Sequence, residues 1–411
     1  MELEAVSKKQ GGSSEGRSHF AVVAARVRQL QGEAPCLRYG RGPATECLLG
    51  LLDGVDGEGA RHGIETNEGA LDTLWLMLSA FLVLRDAVQH TAAASAAQLC
   101  RAVEEAGADM MRQLSAPYDW YVGNLVSRVQ RTIRSEVHAA AGAGEVERAD
   151  ERAEMLNVWQ RLPLEAGTAP DAHSQRGATA SADHLETQVA VQEALTELEE
   201  ELRSSRTRIA KQSIEFVHAE EVVLVHGHSL TVLHFLLRAA KTRRFQVIVA
   251  EAAPSCSGHA MVRALARENM DVTLIADASV FAIMSRVHKV VLEGDVILAD
   301  GSAVGRTGAL LMALAAQRHT VPVLLLTPWY QLSAVFPQDF PALHSLHSPA
   351  TVLGYADTSA FRERVAVTDP LYDHLPADLV TLFVLDRGSY PGSFLYHLLR
   401  DLYGAAPGAP G

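Results

Sequence analysis

The chain has 411 residues, of which 48% are hydrophobic, so it is long enough for two domains with sizeable cores. Lys and Arg total 36 against 49 Asp and Glu, and this net charge of −13 argues against nucleic acid as the main ligand. The four cysteines, at positions 36, 47, 100 and 256, show no paired spacing. This excludes a disulfide scaffold and a Cys-rich zinc module, and it predicts a reducing compartment.

The first part of the chain predicts a tail followed by helices. Residues 1–18 are rich in Ser, Gly, Lys and Glu, which predicts a disordered tail. They lack the apolar core of a secretory signal, so we expect a cytosolic protein. The segment 74–84, LWLMLSAFLVL, is 11 residues long. A membrane span needs about 20 apolar residues, so this segment predicts a helix buried in a bundle instead.

Apolar residues at three- and four-residue steps predict an all-α domain over 19–217. A flexible insert is expected around 140–184, with a short helix near 145–162, because 163–183 has few large apolar groups. Apolar residues at heptad-compatible positions then predict a long connecting helix over 185–217. They are Val191, Leu195, Leu198, Leu202, Ile209 and Phe216.

From residue 218 onward the pattern changes to short apolar strands that alternate with helices. Strands are predicted near 222–225, 246–250, 272–275, 290–291, 321–326 and 379–385, each followed by a helical or turn segment. This alternation is typical of a parallel sheet covered on both faces. The fold class is therefore α/β: an N-terminal all-α helical domain joined by a long helix to a Rossmann-like, doubly wound parallel-sheet domain over 218–404, with a flexible tail at 405–411.

Ligands of such sheets bind beyond the carboxyl ends of the strands. The sequence has neither GxGxxG nor GxxxxGK[ST], which argues against dinucleotide binding and against a nucleotide hydrolase. A nucleotide-binding enzyme with a divergent loop is a remaining alternative. His226 and His228 could share one strand face, but nothing in the sequence completes a metal shell around them. Cys256 has no identifiable base and is expected to be a structural thiol. We therefore expect neither a metal nor a cofactor.

The segment 302–308, SAVGRTG, offers backbone N–H groups near a predicted helix start, together with Arg306. Arg306 and Gly308 are thus candidates for binding an anion such as phosphate. A tight turn and a capped helix explain the same residues equally well.

Four segments in this half resemble, in order, the C-terminal domain of the regulatory alpha, beta and delta subunits of eukaryotic translation initiation factor 2B. They are EVVLVHGHSLTVLHFLLRA, FQVIVAEAAPSCSGHAMVRAL, DVTLIADASVFAIMSRVHKVVLEGDVILADGSAVGRTGALLMALAA and YDHLPADLVTLFVLDRGSYPGSFLYHLLRDLY. VAEAAPSCSGH, FAIMSRVHKV and LPADLVTLFVLD favour the beta branch of this family.

The resemblance implies a regulatory and scaffold subunit of the guanine-nucleotide exchange factor for initiation factor 2, without catalysis of its own. The implied partners are the alpha, gamma, delta and epsilon subunits and initiation factor 2, chiefly its alpha subunit, whose phosphorylation the regulatory subunits sense; neither a membrane nor direct nucleic-acid binding is expected. Arg203, Arg206 and Arg208 are the nearest candidates to meet a phosphoserine.

Five residues match family positions that line a pocket at a subunit junction, although ordinary sheet core also explains several of them. They are Val222, Gln246, Ile248, Thr273 and Ile275.

The same fold resembles that of sugar-phosphate isomerases, which use a Cys after the first strand and an Asp after the fourth. Gly227 stands here at the Cys position and Asp295 at the Asp position. A proton shuttle needs a paired acid and base, so one surviving carboxylate favours a binding role. A ribose- or methylthioribose-phosphate isomerase is the alternative function.

Overall fold

The computed structural model describes residues 73–91, 96–112, 114, 118–140, 180–336, 345–354 and 364–403. Several predicted features lie outside these residues. They are the tails at 1–18 and 405–411, the part of the all-α domain before residue 73, and the short helix near 145–162. Within the described part of the chain, no helix combines the length and hydropathy that crossing a bilayer would require.

The described residues of the first half form four helices. They are α1 (Thr73–His90), α2 (Ala96–Met111), α3 (Tyr118–Ala140) and α4 (Ala180–Phe216). The apolar stretch predicted to be a core helix lies in α1, where Leu76, Met77 and Phe81 are fully buried. Helix α3 buries the stripe that begins at Val122 and ends at Ile133, as expected for an amphipathic helix packed on one side.

Helix α4 connects the two halves. Its 37 residues extend about 56 Å at 1.5 Å per residue. Leu195 and Leu202 pack into the core around α1 and α3, whereas Ile209 packs against the sheet half of the molecule.

The second half is built on a seven-stranded sheet. Its strands are β1 (Val222–His226), β2 (Gln246–Ala250), β3 (Asp271–Ile275), β4 (Lys289–Glu293), β7 (Val323–Leu326), β9 (Leu382–Leu385) and β10 (Gly388–Tyr390). They lie in the order β10-β9-β7-β4-β1-β2-β3, and all neighbours are parallel except β10, which runs antiparallel to β9. The helices are α5 (Leu230–Ala240), α6 (Gly258–Arg267), α7 (Val280–Ile283), α8 (Ala309–Arg318) and α9 (Leu395–Tyr403).

Helices lie on both faces of this sheet, which confirms the predicted α/β fold class. Helices α5 and α6 pack with the carboxyl end of α4 against one face, through Val223, Val247 and their neighbours. Helices α7, α8 and α9 lie on the other face, and there the buried cluster continues without a break into α1–α4. One hydrophobic core is therefore shared by the helical half and one face of the sheet.

A second sheet was not foreseen from the sequence. The short strands β5 (Val296–Ile297), β6 (Ala303–Arg306) and β8 (Tyr372–Leu375) form a three-stranded antiparallel sheet. The glycines at 294, 301 and 305 predict only a turn region over 294–305, and this prediction is wrong, since β5 and part of β6 lie there. Strand β6 finds its partner β8 about 70 positions further along the chain, with Arg306 opposite Tyr372.

Candidate functional site

The chain makes a sharp turn where β1 ends. Gly227 has a φ of +58°, a backbone conformation that residues other than glycine rarely adopt. A Cβ at this position would lie 2.9 Å from Oγ of Ser257 and 3.2 Å from Cβ of Ala252. The position at which isomerases of this fold carry a Cys is therefore shaped for glycine. The sequence suggested that His226 and His228 could share one strand face. They do not, because β1 ends at His226 and His228 lies beyond the turn.

Asp295 lies just after β4 and is almost completely buried. Its carboxylate is 3.6 Å from Nε of Arg306. Burial raises the pKa of Asp295 to about 6; the Arg306 guanidinium opposes this rise and the Glu293 carboxylate adds to it. Glu293 accepts a hydrogen bond from the hydroxyl of Thr231, which fixes its position at the end of β4. A carboxyl with this pKa could exchange a proton near neutral pH, but proton transfer between two carbons also needs a second group.

Arg306 is surrounded by tyrosines from both halves of the molecule. Its guanidinium carbon lies 5.2 Å from the ring centre of Tyr372 and its Nη2 is 3.5 Å from the hydroxyl of Tyr118. Tyr121, on the same helix as Tyr118, is fully buried next to this group, and its pKa is raised by burial and by the negative charge of Asp295. These contacts make Arg306 part of the junction between α3 and the small sheet.

The helix start at Gly308 is capped by a carboxylate side chain of the protein itself. The backbone N–H groups of Gly308 and Leu310 donate hydrogen bonds of 2.8 and 3.2 Å to the Asp373 carboxylate. A Cβ on Gly308 would lie 2.4 Å from Nε2 of His226, so the backbone here is closely packed. These contacts favour the capped helix, since Asp295 lies beside Arg306 and Asp373 caps the helix; anion binding at Arg306 and Gly308 stays a prediction.

The strand-end cavity beside Asp295 is small, with a volume of about 50 Å³. His226, His228, Arg206, Arg306 and Asp295 all line it. Pockets that enclose small-molecule ligands usually measure about 300–1,000 Å³. A cavity of this size has room for about one or two water molecules and is too small for a phosphorylated sugar.

The five residues predicted at a subunit junction lie together on one face of three adjacent strands. Register places Val222 beside Gln246, Ile248 beside Thr273 and Ala250 beside Ile275. Strand alternation turns all five toward the layer that contains α7 and α8, because the intervening residues Val223 and Val247 belong to the core under α5 and α6. Gln246 and Thr273 are exposed, and the other three are half-buried.

Large apolar side chains on the neighbouring helices are also exposed in this layer. The exposed fractions are 55% for Phe281 on α7 and 43% and 48% for Leu311 and Leu314 on α8. Phe281 packs edge-on against His319 at the end of α8, with ring centres 5.2 Å apart. We call Phe281, Leu311 and Leu314 the apolar patch.

The helical half has a polar groove of about 370 Å³ between α3 and α4. It is lined by Arg128, Arg131, Thr132, Ser135, Glu136, Ala194, Glu197, Leu198, Glu201 and Arg208. A buried nitrogen of Arg131, Nη1, has no hydrogen-bond partner within the described residues. Of the three arginines considered for phosphoserine binding, only Arg208 lines this groove, because Arg206 is buried beside the Asp295 cavity and Arg203 pairs with Glu199 at 2.6 Å.

Sequence reasoning missed the tyrosines around Arg306, the Asp373 cap and a cluster of Glu251, Cys256 and His259. The first two come from residues distant along the chain. The cluster had a usable signal, since its three members lie within nine consecutive residues, EAAPSCSGH.

Comparison with known proteins places these features in context. The model of the initiation factor 2 subunit family matches residues 73–392. The eIF2B subunit beta of Schizosaccharomyces pombe is 32% identical over 360 residues, which cover 79% of this chain and 90% of that protein. The eIF2B subunit beta of Dictyostelium discoideum is 36% identical over 216 residues, or 53% of this chain and 55% of that protein.

Solved structures agree at the level of the fold. Crystalline eIF2B beta from Chaetomium thermophilum superposes with a TM-score of 0.59 at 23% identity, covering 80% of this chain and 86% of that chain. A chain of the tetrameric eIF2B-beta2-delta2 complex from C. thermophilum gives 0.56 at 22% identity, covering 80% of this chain and 89% of that chain. The resemblance inferred from the strand-end segments, including its beta branch, is confirmed.

Proposed function

The chain belongs to the initiation factor 2 subunit family, and we propose that it is a non-catalytic regulatory and scaffold subunit of the guanine-nucleotide exchange factor eIF2B in the cytosol. The proposed partners are the alpha, gamma, delta and epsilon subunits and initiation factor 2, chiefly its alpha subunit. The curated relatives support the assignment to eIF2B, and the features of the two surfaces below support the role.

The exposed apolar patch is the observation that carries this proposal. Phe281, Leu311 and Leu314 are exposed on the helix layer of α7 and α8. The strand face that carries Gln246, Ile248 and Thr273 points toward the same layer. Large exposed apolar groups grouped on one side of a protein are typical of interfaces, whose centres are rich in aromatic and aliphatic residues. A relative of this fold is named as part of a beta2-delta2 tetramer, which supports a delta subunit as the occupant of this surface.

The absence of catalysis is supported by the strand-end site. Asp295 is retained, but Arg306 neutralises it, and Gly227 stands where a second reacting group would be needed. The cavity of about 50 Å³ leaves no room for a sugar phosphate. These features weigh against the isomerase alternative.

The polar groove is the proposed docking surface for initiation factor 2. Both arginines and glutamates line its two walls, so it offers donors and acceptors to a partner. Charge complementarity of this kind sets the specificity and the rate of association more than the affinity.

Charge in the apolar patch tests the subunit role. We expect that Phe281→Asp combined with Leu314→Asp, in the full chain co-expressed with the delta subunit, abolishes co-purification and returns the chain alone. Burying an unpaired charge in an interface core costs several kcal/mol of binding free energy. On the isolated chain the two aspartates are exposed to water, so they are tolerated there.

The matched control is Val352→Asp. Val352 is 50% exposed and lies outside the patch, so this variant is expected to co-purify with delta like the unmodified chain. Circular dichroism and thermal unfolding of both isolated variants establish that they fold. Undiminished delta binding by the double variant would contradict the assignment of this surface.

A further inference from the structure

We propose that Glu251, Cys256 and His259 form a binding site for a single divalent metal ion of the zinc class. Each offers one ligand atom, and the three atoms lie within 4.8 Å of one another. Nε2 of His259 is 3.9 Å from Oε2 of Glu251. This cluster is separate from the Asp295 cavity, the apolar patch and the groove, and the proposal does not depend on the proposed function.

Three different backbone elements bring the ligands together. Glu251 follows the last residue of β2, Cys256 lies in the connecting loop, and His259 is in the first turn of α6. The helix start packs directly on the strand end, since a Cβ at Gly258 would lie 2.5 Å from the Ala250 carbonyl oxygen. The close approach of His259 to Glu251 therefore requires glycine at position 258.

The loop that carries Cys256 is held by hydrogen bonds at both ends. The backbone N–H of Cys256 donates to the Ala252 carbonyl at 2.9 Å, and that of Gly258 donates to the Glu251 carbonyl at 3.0 Å. The Asp277 carboxylate accepts N–H bonds from Ala252 and Ala253 at 3.0 and 2.7 Å. The ligand cluster is thus built on an ordered backbone, and preorganisation of this kind reduces the entropy lost on binding.

The donor set indicates which ion fits. A thiolate, an imidazole and a carboxylate together are typical ligands of zinc and cobalt, whereas magnesium and calcium prefer oxygen alone. Metal–ligand bonds of about 2.0–2.3 Å in a tetrahedron place ligand atoms about 3.4–3.6 Å apart. Small side-chain rotations therefore close the observed spacing around an ion.

The site is open to solvent on one side. His259 is exposed and Glu251 and Cys256 are half-buried, so an ion can enter. Three protein ligands leave a fourth tetrahedral position for water. An ion here would tie the carboxyl end of β2 to α6 and restrain the loop between them.

Cobalt titration of the full-length, reduced chain, freed of metal, tests this proposal. We expect one equivalent of Co²⁺ to produce a thiolate-to-cobalt charge-transfer band, and one equivalent of Zn²⁺ to remove that band by displacement. Cys256→Ser should abolish the band although Cys36, Cys47 and Cys100 remain. His259→Gln should weaken binding at least about 100-fold, since it removes a direct ligand.

His347→Gln is the matched control, because His347 is also exposed but lies far along the chain from the cluster. It should bind cobalt with unchanged affinity and an unchanged spectrum. Circular dichroism of the metal-free variants establishes that they fold. The proposal is overturned if the charge-transfer band persists in Cys256→Ser, if His259→Gln binds as tightly as His347→Gln, or if the unmodified chain gives no thiolate band.

Discussion

At the scale of single residues, burial controls the behaviour of several carboxyl groups. The pKa values of Asp119, Asp295 and Asp386 are each raised to about 6, in every case chiefly by burial. For Asp386, the backbone N–H of Trp329 and the charge of Arg387 oppose the rise, and the Glu201 carboxylate adds to it. One of its oxygens accepts from Trp329 at 3.0 Å, and the other has no hydrogen-bond partner among the described residues.

This arrangement predicts that Asp386→Asn stabilises the protein in a pH-dependent way. The folded-state pKa of about 6 exceeds the ordinary value of 3.8, so ionisation destabilises the folded state as pH rises between these values. Asn keeps the acceptor for Trp329 without the charge. We expect a free energy of unfolding higher by on the order of 1–3 kcal/mol at about pH 7.5, and little change at about pH 4.

Chemical denaturation at the two pH values measures this effect. Asp378→Asn is the control, since Asp378 is exposed and should change stability little at either pH. Destabilisation by Asp386→Asn at the higher pH would show that the ionised carboxylate is needed where it lies.

The sequence predicted that Gly227 and Asp295 follow strands of the parallel sheet, where the carboxyl ends of the strands meet. The five strand-face residues came only from the family resemblance, and their shared face follows from the strand register of the structure. It could not predict how Arg306 and Gly308 are satisfied. Their carboxylate partners come from different parts of the fold, and Asp373 follows Gly308 by 65 positions. Pairing over such separations depends on topology that a local pattern does not contain.

At the scale of elements, long periodic segments were predictable and short ones were not. Helix α4 has an apolar periodicity and most strands of the large sheet are apolar runs bounded by turns, whereas β5 has only two residues and β6 only four. A strand of two residues has no alternation to detect. The groove between α3 and α4 was also unforeseen, since it depends on how two helices distant in sequence pack together.

The groove supplies a prediction at this scale. Arg131→Glu combined with Arg208→Glu should weaken binding of the alpha subunit of initiation factor 2 to the assembled complex by about tenfold or more, measured by surface plasmon resonance. The two substitutions remove donors from the groove, and the new carboxylates would repel acidic or phosphorylated groups of a partner docked there.

Arg112→Glu provides the comparison, because the side chain of Arg112, just after α2, is 75% exposed and lies outside the groove. It should bind like the unmodified complex. Equal binding by the groove variant would place the docking surface elsewhere.

At the scale of the whole molecule, the helical half and the sheet share one core. Residues such as Phe81 and Leu125 belong to the same buried cluster as Leu224 and Leu325. Buried Asn124 on α3 reinforces this junction, since its Nδ2 donates to the Tyr330 carbonyl at 3.0 Å. The sequence suggested two domains but gave no measure of how tightly they pack.

We expect Asn124→Ala to lower the stability of both halves together, by about 1–3 kcal/mol, because it removes a buried hydrogen bond between them. Calorimetry should record one transition that moves to lower temperature, since a continuous core favours cooperative unfolding. Separation into two transitions, with only one displaced, would indicate halves that unfold independently.

The native mass of the complex recovered with a tagged full-length chain from its own cells tests the central claim most directly. The chain alone has a mass of 44.3 kDa. We predict a much larger assembly that contains the delta subunit and the other eIF2B subunits in fixed proportion. Recovery of this chain as a monomer, or only as copies of itself, would contradict its role as a subunit of the exchange factor.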